Sequence, residues 1–162
     1  MKNIKVHGGF RDMENDTSMR RKSVTIKWSF PIVYSHAYEK EKCTENGIYY
    51  ISRVFGGHET LIYIGKTVDS FMNRLKSHEE TWLNTAKGEK YIRFGSIISP
   101  KTYNNDLIED IESAIIYEMQ PQNNYMKTCS YTYRSGYFVN INNTGYRGVL
   151  PQIIDGKDHV LL

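Results

Sequence analysis

The chain has 162 residues and a net charge of +3, with ordinary charged (24%) and hydrophobic (40%) fractions. That length holds one domain with a real core and excludes two comfortable ones. No apolar run approaches the ~20 residues of a membrane-spanning helix, so no membrane partner is expected. Cys43 and Cys129 are too few for a disulfide framework or a zinc knuckle. Met1–Lys5 leads into no apolar run, so no secretory signal is expected and the expected setting is reduced and cytoplasmic. The excess charge lies in residues 1–46, nine Lys/Arg against six Asp/Glu, whereas residues 47–162 balance at twelve against twelve.

In chain order, residues 1–22 read as a basic arm ending in Arg20-Arg21-Lys22. Ser23–Phe30 alternates, with Val24, Ile26, Trp28 and Phe30 on one face, the pattern of a half-buried strand. Pro31 stops it or marks an edge. His36–Asn46 is charged and reads as helix or loop. Gly47–Phe55, rich in β-branched and aromatic residues, is a strand. Gly56-Gly57 predicts a hairpin turn, and Leu61–Ile64 returns as the antiparallel partner. Gly65 ends that strand where backbone bends or approaches something closely. Thr67 or Asp69 caps a helix to about Trp82. Phe71, Leu75 and Trp82 form its buried stripe, His78 borders the stripe, and Arg74 lies one turn earlier on the same side.

Lys87–Lys90 reads as a turn and Tyr91–Ile98 as a third strand. Asn104 or Asn105 caps a second helix, from Asp106 to about Gln120, which Pro121 stops. Gly136–Ile141 and Gly145–Leu150 read as a hairpin joined by Asn142-Asn143-Thr144. Asp155–Leu162 carries no assignable pattern.

The second helix holds an anomaly. At about 100° per residue, Leu107, Ile108, Ile111, Ala114, Ile115, Ile116 and Met119 form a broad apolar arc, and Glu112 falls inside it. A buried carboxylate is costly unless paired or bound to a cation, and functional sites tolerate such costs. Glu112 is therefore either a structural acid paired with a buried Arg or Tyr, or part of a site. Glu109 lies at the edge of the arc as a rival metal ligand, and Glu118 points inward near the helix end, where it reaches water.

Gly47-Ile48-Tyr49, Tyr63-Ile64-Gly65, Arg74, His78, Glu112 and Asn124 occur in that order. Together they resemble the GIY-YIG nuclease superfamily, over about half of the chain, and the Lys66 after the second motif also resembles the nuclease of bacterial nucleotide-excision repair and several restriction enzymes; the compact chain as a whole resembles the family's stand-alone restriction endonucleases. The resemblance implies an α+β fold, a small three-stranded antiparallel sheet flanked by helices, over residues 47–124. Residues 1–46 then add an arm and a strand, and residues 125–162 form a C-terminal extension.

It also implies a metal-dependent DNA endonuclease that leaves 5′-phosphate and 3′-hydroxyl ends. Phosphodiester hydrolysis needs a deprotonated water in line, a partner for the phosphate charge and a stabilised leaving oxygen. Glu112 holds one Mg²⁺ or Mn²⁺ per active site in this reading, a cation that accepts sparse protein ligation because it keeps its waters. Arg74 pairs with a phosphate oxygen. Tyr49 or Tyr63 activates the water, Tyr63 being favoured beside Lys66. A tyrosine pKa near ~10 must first be lowered by nearby cations. His78 either takes the proton or orients Tyr49, and Asn124 ties the end of the catalytic helix to the site. Taken singly, each of these residues has an ordinary structural explanation.

DNA contact is expected from Arg20, Arg21 and Lys22, and from Lys127, Arg134 and Arg147. The last three interleave with Tyr125, Tyr131, Tyr133, Tyr137, Phe138 and Tyr146 in a stretch without acids, a composition suited to phosphate contact and base stacking. A hairpin that covers the core explains that stretch equally well. The favoured role is site-specific cleavage of restriction or mobile-element type, by a homodimer or by two visits of one copy. The alternatives are a structure-selective repair or phage nuclease and a DNA-binding module that does not cut.

Overall fold

The computed structural model describes residues 19–40 and 45–159. Its strands are β1 (Arg20–Trp28), β2 (Ile32–Val33), β3 (Gly47–Phe55), β4 (His58–Thr67), β5 (Glu89–Ser99), β6 (Tyr137–Gly145) and β7 (Ile153–Asp155). The α-helices are α1 (Phe71–Thr81) and α2 (Asn105–Met119). The strands form one curled, mixed sheet in the order β4-β3-β5-β1-β6-β7, with β2 paired to β5. All pairings are antiparallel except β1 with β6, which runs parallel from Arg20 opposite Tyr137 to Trp28 opposite Gly145.

This overturns the expected small three-stranded sheet flanked by helices. β3, β4 and β5 do lie side by side, but β1 continues the sheet beyond β5, and β6 and β7 extend it further. Val24, Ile26 and Trp28 on β1, and Val139 and Ile141 on β6, are all but fully buried in the same core as α2. Apolar strands that need cover on that face are most readily accommodated by lengthening the sheet over which α2 packs.

The expected C-terminal hairpin is also corrected. Asn142, Asn143 and Thr144 are not a turn but the last part of β6. The side chains of Asn143 and Thr144 find partners there: the Trp28 indole donates to Asn143 Oδ1 at 2.9 Å, Asn143 Nδ2 donates to the Pro151 carbonyl, and Thr144 Oγ1 donates to the Ile26 carbonyl. The partner of β6 on that side is β7, not residues 145–150. Arg20-Arg21-Lys22 opens β1 rather than ending an arm; residues 1–18, and Cys43, lie outside the described residues. Tyr34–Glu39 forms a 3₁₀ helix, and Gly156–His159 forms another within the stretch that carried no assignment, of which residues 160–162 lie outside the description.

Other local signals hold in part: β4 runs through Gly65 to Thr67 rather than ending there, and β5 already begins at Glu89, within the expected turn. Gly56 (φ 59°) and Gly57 (φ 80°) turn β3 into β4 in the left-handed region that the turn requires. The Asn104 side chain accepts from the Leu107 N–H as the cap of α2. Ser70, not Thr67 or Asp69, caps α1 by accepting from Asn73 N–H. The sheet separates two cores. On one face α2 lays Leu107, Ile108, Ile111, Ala114, Ile115 and Ile116 against Ile48, Tyr50 and Ile64. On the other, Phe71 and Leu75 of α1 pack with Tyr49, Ile51, Ile62 and Phe94. Each buried Leu, Ile or Phe side chain contributes roughly 1.5–3 kcal/mol.

Candidate active site

β4 is an outer strand, so its free edge and both helices are within reach of one cleft. Two devices shape it. A bulge skips Ile62 in the pairing with β3, so that Ile62 and Tyr63 both pack toward the α1 core. Residues 121–124 then run along the open edge. Asn123 N–H donates to the Ile62 carbonyl, and the Asn124 side chain receives the Ile64 N–H and donates to the Ile64 carbonyl, both at 2.9 Å. Asn124 thus replaces a neighbouring strand and fixes the exit from α2 against β4.

The resulting cleft, of about 580 Å³, is lined by Tyr63, Lys66, Arg74, Glu109, Glu112, Asn124 and Lys127, among others. Five of the seven residues read from the sequence as a site therefore share one wall-to-wall space: Tyr63, Lys66, Arg74, Glu112 and Asn124. Tyr49 and His78 stand behind Tyr63. The Tyr63 ring lies 4.5 Å, centroid to centroid, from the His78 ring and 6.1 Å from that of Tyr49.

Tyr49 is fully buried, and burial, followed by the neighbouring Tyr63, pushes its hydroxyl well above the ordinary range. Gly65 makes its position possible: a Cβ there would lie 2.5 Å from Tyr49 Oη and 2.7 Å from Tyr63 Cε1. Tyr49 Oη is 2.6 Å from His78 Nε2. On the other side of the ring, the Trp82 indole lies 3.1 Å from His78 Nδ1. An indole N–H only donates, so Nδ1 is the acceptor and the proton of the neutral imidazole sits on Nε2, donated to Tyr49. Burial, followed by Arg74, lowers the His78 pKa to about 4. The imidazole is neutral near pH 7, both nitrogens are engaged, and it has no free lone pair for a water. Of its two expected roles, this geometry suits orientation of Tyr49.

Tyr63 is only half-buried and faces the cleft. The Arg74 guanidinium approaches its hydroxyl with a long 3.5 Å contact. Lys66 does not stand next to that hydroxyl as an ion-pair partner; its ammonium bonds Glu109 Oε2 at 2.8 Å. Arg74 is therefore the cation that contacts Tyr63.

Glu112 is 9% exposed, as the apolar arc predicts. Burial pushes its carboxyl above the usual carboxylate range, against the pull of Lys127. Its partner is neither an Arg nor a Tyr. Lys127 Nζ lies 2.5 Å from Glu112 Oε2 and 2.6 Å from Glu109 Oε1. Burial opposes ionisation of Glu109, but Lys127 and Lys66 outweigh it and hold the group down to about 2. Lysine and glutamate thus alternate along the cleft in the order Lys66, Glu109, Lys127, Glu112, and Arg74 adds a third cation against two carboxylates.

The residues expected to contact DNA fare differently. Lys127 sits inside the cleft. Arg147 folds back on the Leu150 carbonyl, Arg21 pairs with Asp155 at 2.8 Å, and Lys22 lies over the Tyr137 ring. Arg20 and Arg134 are exposed. Among the aromatics, Tyr125 is 86% exposed at the cleft rim. Tyr131 and Tyr133 instead bond each other at 2.9 Å, and Tyr131 also bonds His159. Tyr146 packs edge-on against Phe30. Buried Asp110 on α2 accepts from the N–H groups of Arg134 and Ser135 and so anchors the C-terminal segment. Neither Asp110 nor Trp82 figures among the residues read as a site. The i, i+4 spacing of His78 and Trp82 is a readable signal for their contact; no local signal marks Asp110.

Glu109 and Glu112 are the two carboxylates of the cleft that could hold a divalent cation. Glu109 and Glu112 lie one helical turn apart and their carboxylates converge on a place that a cation, the Lys127 ammonium, already holds. Among the described residues no group of three or more His, Cys, Asp or Glu side chains is placed to hold a metal ion, so protein ligation there is limited to these two carboxylates. Magnesium, which retains several waters, accepts so few protein ligands. No helix among the described residues is long and apolar enough to cross a membrane. No family model matches this chain, and it has no significant match among curated proteins or solved structures.

Proposed function

We propose that the cleft between β4, α1 and α2 hydrolyses phosphodiester bonds, with DNA as substrate. The observation that carries this reading is the convergence of Tyr63, Lys66, Arg74, Glu112 and Asn124 on one cleft from separate elements of the chain. The motif order of the GIY-YIG nucleases supports it, although the seven-stranded sheet lends that resemblance no weight.

In this reading Arg74, on the exposed side of α1, pairs with a non-bridging phosphate oxygen through its planar fork. Tyr63, in its phenolate form, takes the proton of the attacking water, and Arg74 is the cation that contacts its oxygen. Tyr49 and His78 act as positioning residues, holding the Tyr63 ring from behind. Glu112, with Glu109 beside it, would hold a Mg²⁺ or Mn²⁺ ion, which when bound supplies charge stabilisation at the phosphate and leaving oxygen. Asn124 keeps the end of α2 registered against β4. Cutting both strands takes a homodimer or two visits by one copy.

The test is incubation of supercoiled plasmid with the protein and Mg²⁺ or Mn²⁺, beside Glu112→Ala, Arg74→Ala and an EDTA control. Nicked or linear products with 5′-phosphate ends are expected, with each variant slower by on the order of 10²-fold or more. Discrete bands would indicate site-specific cleavage, and preference for flaps or junctions a structure-selective enzyme. The Lys127–Glu112 ion pair favours a second reading, a DNA-binding cleft that does not cut. Plasmid bound but intact under every condition would establish that reading instead.

A further inference from the structure

The loop that carries Lys127 is clamped on both sides. Before it, Asn124 is bonded to the backbone of Ile64 on β4. After it, Gln120 Nε2 donates to the Thr128 carbonyl at 2.7 Å and ties the loop to the end of α2. Between these clamps Lys127 adopts φ 68°, a left-handed conformation that costs a side-chain-bearing residue energy and persists only when its surroundings impose it. The outcome of this arrangement is specific: a lysine whose side chain is only 18% exposed, with its ammonium between the oxygens of Glu109 and Glu112.

A surface lysine recruited to a salt bridge would not need a strained, doubly clamped loop, since exposed pairs contribute little. Here the pair is sunk in the cleft. Glu112 would be left as a nearly buried, uncompensated charge if the ammonium simply left, so its ionised form calls for a cation at this place.

We infer that Lys127 is an internal counter-cation that holds the divalent-metal position on Glu112, and that metal loading proceeds by exchange with its ammonium. The inference rests on the reading of Glu112 as a metal ligand given above. The exchange transfers no proton: Lys127 leaves as an ammonium and a hydrated divalent ion takes its place. Two consequences follow. The protein stays folded and charge-balanced without metal, and its metal affinity is weakened by a competitor tethered at the site. The displaced ammonium remains next to the cleft that holds Lys66 and Arg74, where a phosphate is its natural partner.

The test is titration of Mn²⁺ into the full chain, without DNA, followed by calorimetry. Lys127→Gln removes the competitor while keeping a polar side chain, and is expected to bind Mn²⁺ tighter by about tenfold, the scale on which groups around a ligand tune metal affinity. Lys127→Arg keeps the charge and adds a fork that grips both carboxylates, and is expected to bind Mn²⁺ more weakly than the wild type. Glu112→Gln is expected to abolish binding. If Lys127→Gln binds no tighter while Glu112→Gln still loses the ion, exchange is refuted and Glu112 remains a ligand. If neither the wild type nor Lys127→Gln binds Mn²⁺ at millimolar concentration, the metal reading of Glu112 falls and exchange with it. Should Lys127→Gln fail to fold, Lys127→Arg decides alone: unchanged or tighter binding refutes exchange.

Discussion

Replacing Gly65 by alanine tests how the site is held. The added Cβ would stand 2.5 Å from Cζ and Oη of Tyr49 and 2.7 Å from Cε1 of Tyr63. Carbon atoms in contact sit about 3.5–4.0 Å apart, so the Tyr49 ring must retreat by about 1 Å. It has nowhere to go: the ring is fully buried, edge-on to Phe71 and bonded to His78. Overpacking of this kind costs about 1–3 kcal/mol, and loss of the Tyr49–His78 hydrogen bond adds about 1 kcal/mol. At about 2–4 °C per kcal/mol for a chain of this size, Gly65→Ala should melt about 5–15 °C below the wild type. Thermal unfolding followed by circular dichroism checks this. In a Tyr49→Leu background the same substitution meets only the Tyr63 ring and should cost less, so the two changes should couple. Under the proposed function, DNA cleavage should fall on the order of 10²-fold, because misplacement of a reacting group by 1 Å has that scale. A Gly65→Ala protein that melts within a degree of the wild type would refute the packing argument.

Two other expectations follow from the same geometry. Asn124→Ala removes both bonds to the Ile64 backbone and should cost about 2 kcal/mol in urea unfolding; the Ile64 amide should exchange with deuterium faster in the variant, and equal rates would count against the clamp. His78 gives a pH signature. Its folded pKa near 4 lies below the unfolded value of 6.5, so the unfolded state takes up the proton first. Stability is full above about pH 6.5 and declines as pH falls toward 4, by about 3 kcal/mol in all. His78→Gln should lack that component of the slope, and identical urea-midpoint profiles for the two proteins between pH 7 and 4 would refute it.

What the amino-acid order alone determined is local. The alternation of Val24, Ile26 and Trp28, the paired glycines after Phe55, the Asn104 cap and the 3.6-residue periodicity around Glu112 each depend on a few neighbouring residues, and each appears in the structure in place, whereas the strand ends at Trp28 and leaves Phe30 exposed. So does the burial of Glu112, because a helix carries its arc with it wherever it packs. Tertiary structure decided the rest. The parallel pairing of β1 with β6 joins segments more than a hundred residues apart, and strand periodicity says which residues are buried, not which strand lies alongside. Asn142–Thr144 have the composition of a turn, yet in the sheet Trp28, Ile26 and Pro151 supply partners for the side chains of Asn143 and Thr144, so the backbone continues extended. The site divides in the same way. Its motif residues are legible as types at a spacing, whereas the partner of Glu112 is not, because Lys127 reaches it through a left-handed residue on a loop held by β4 and by the end of α2. A charge fifteen positions away looks solvated until the fold closes the cleft around it, and only then does the cost of an unpaired buried carboxylate select it.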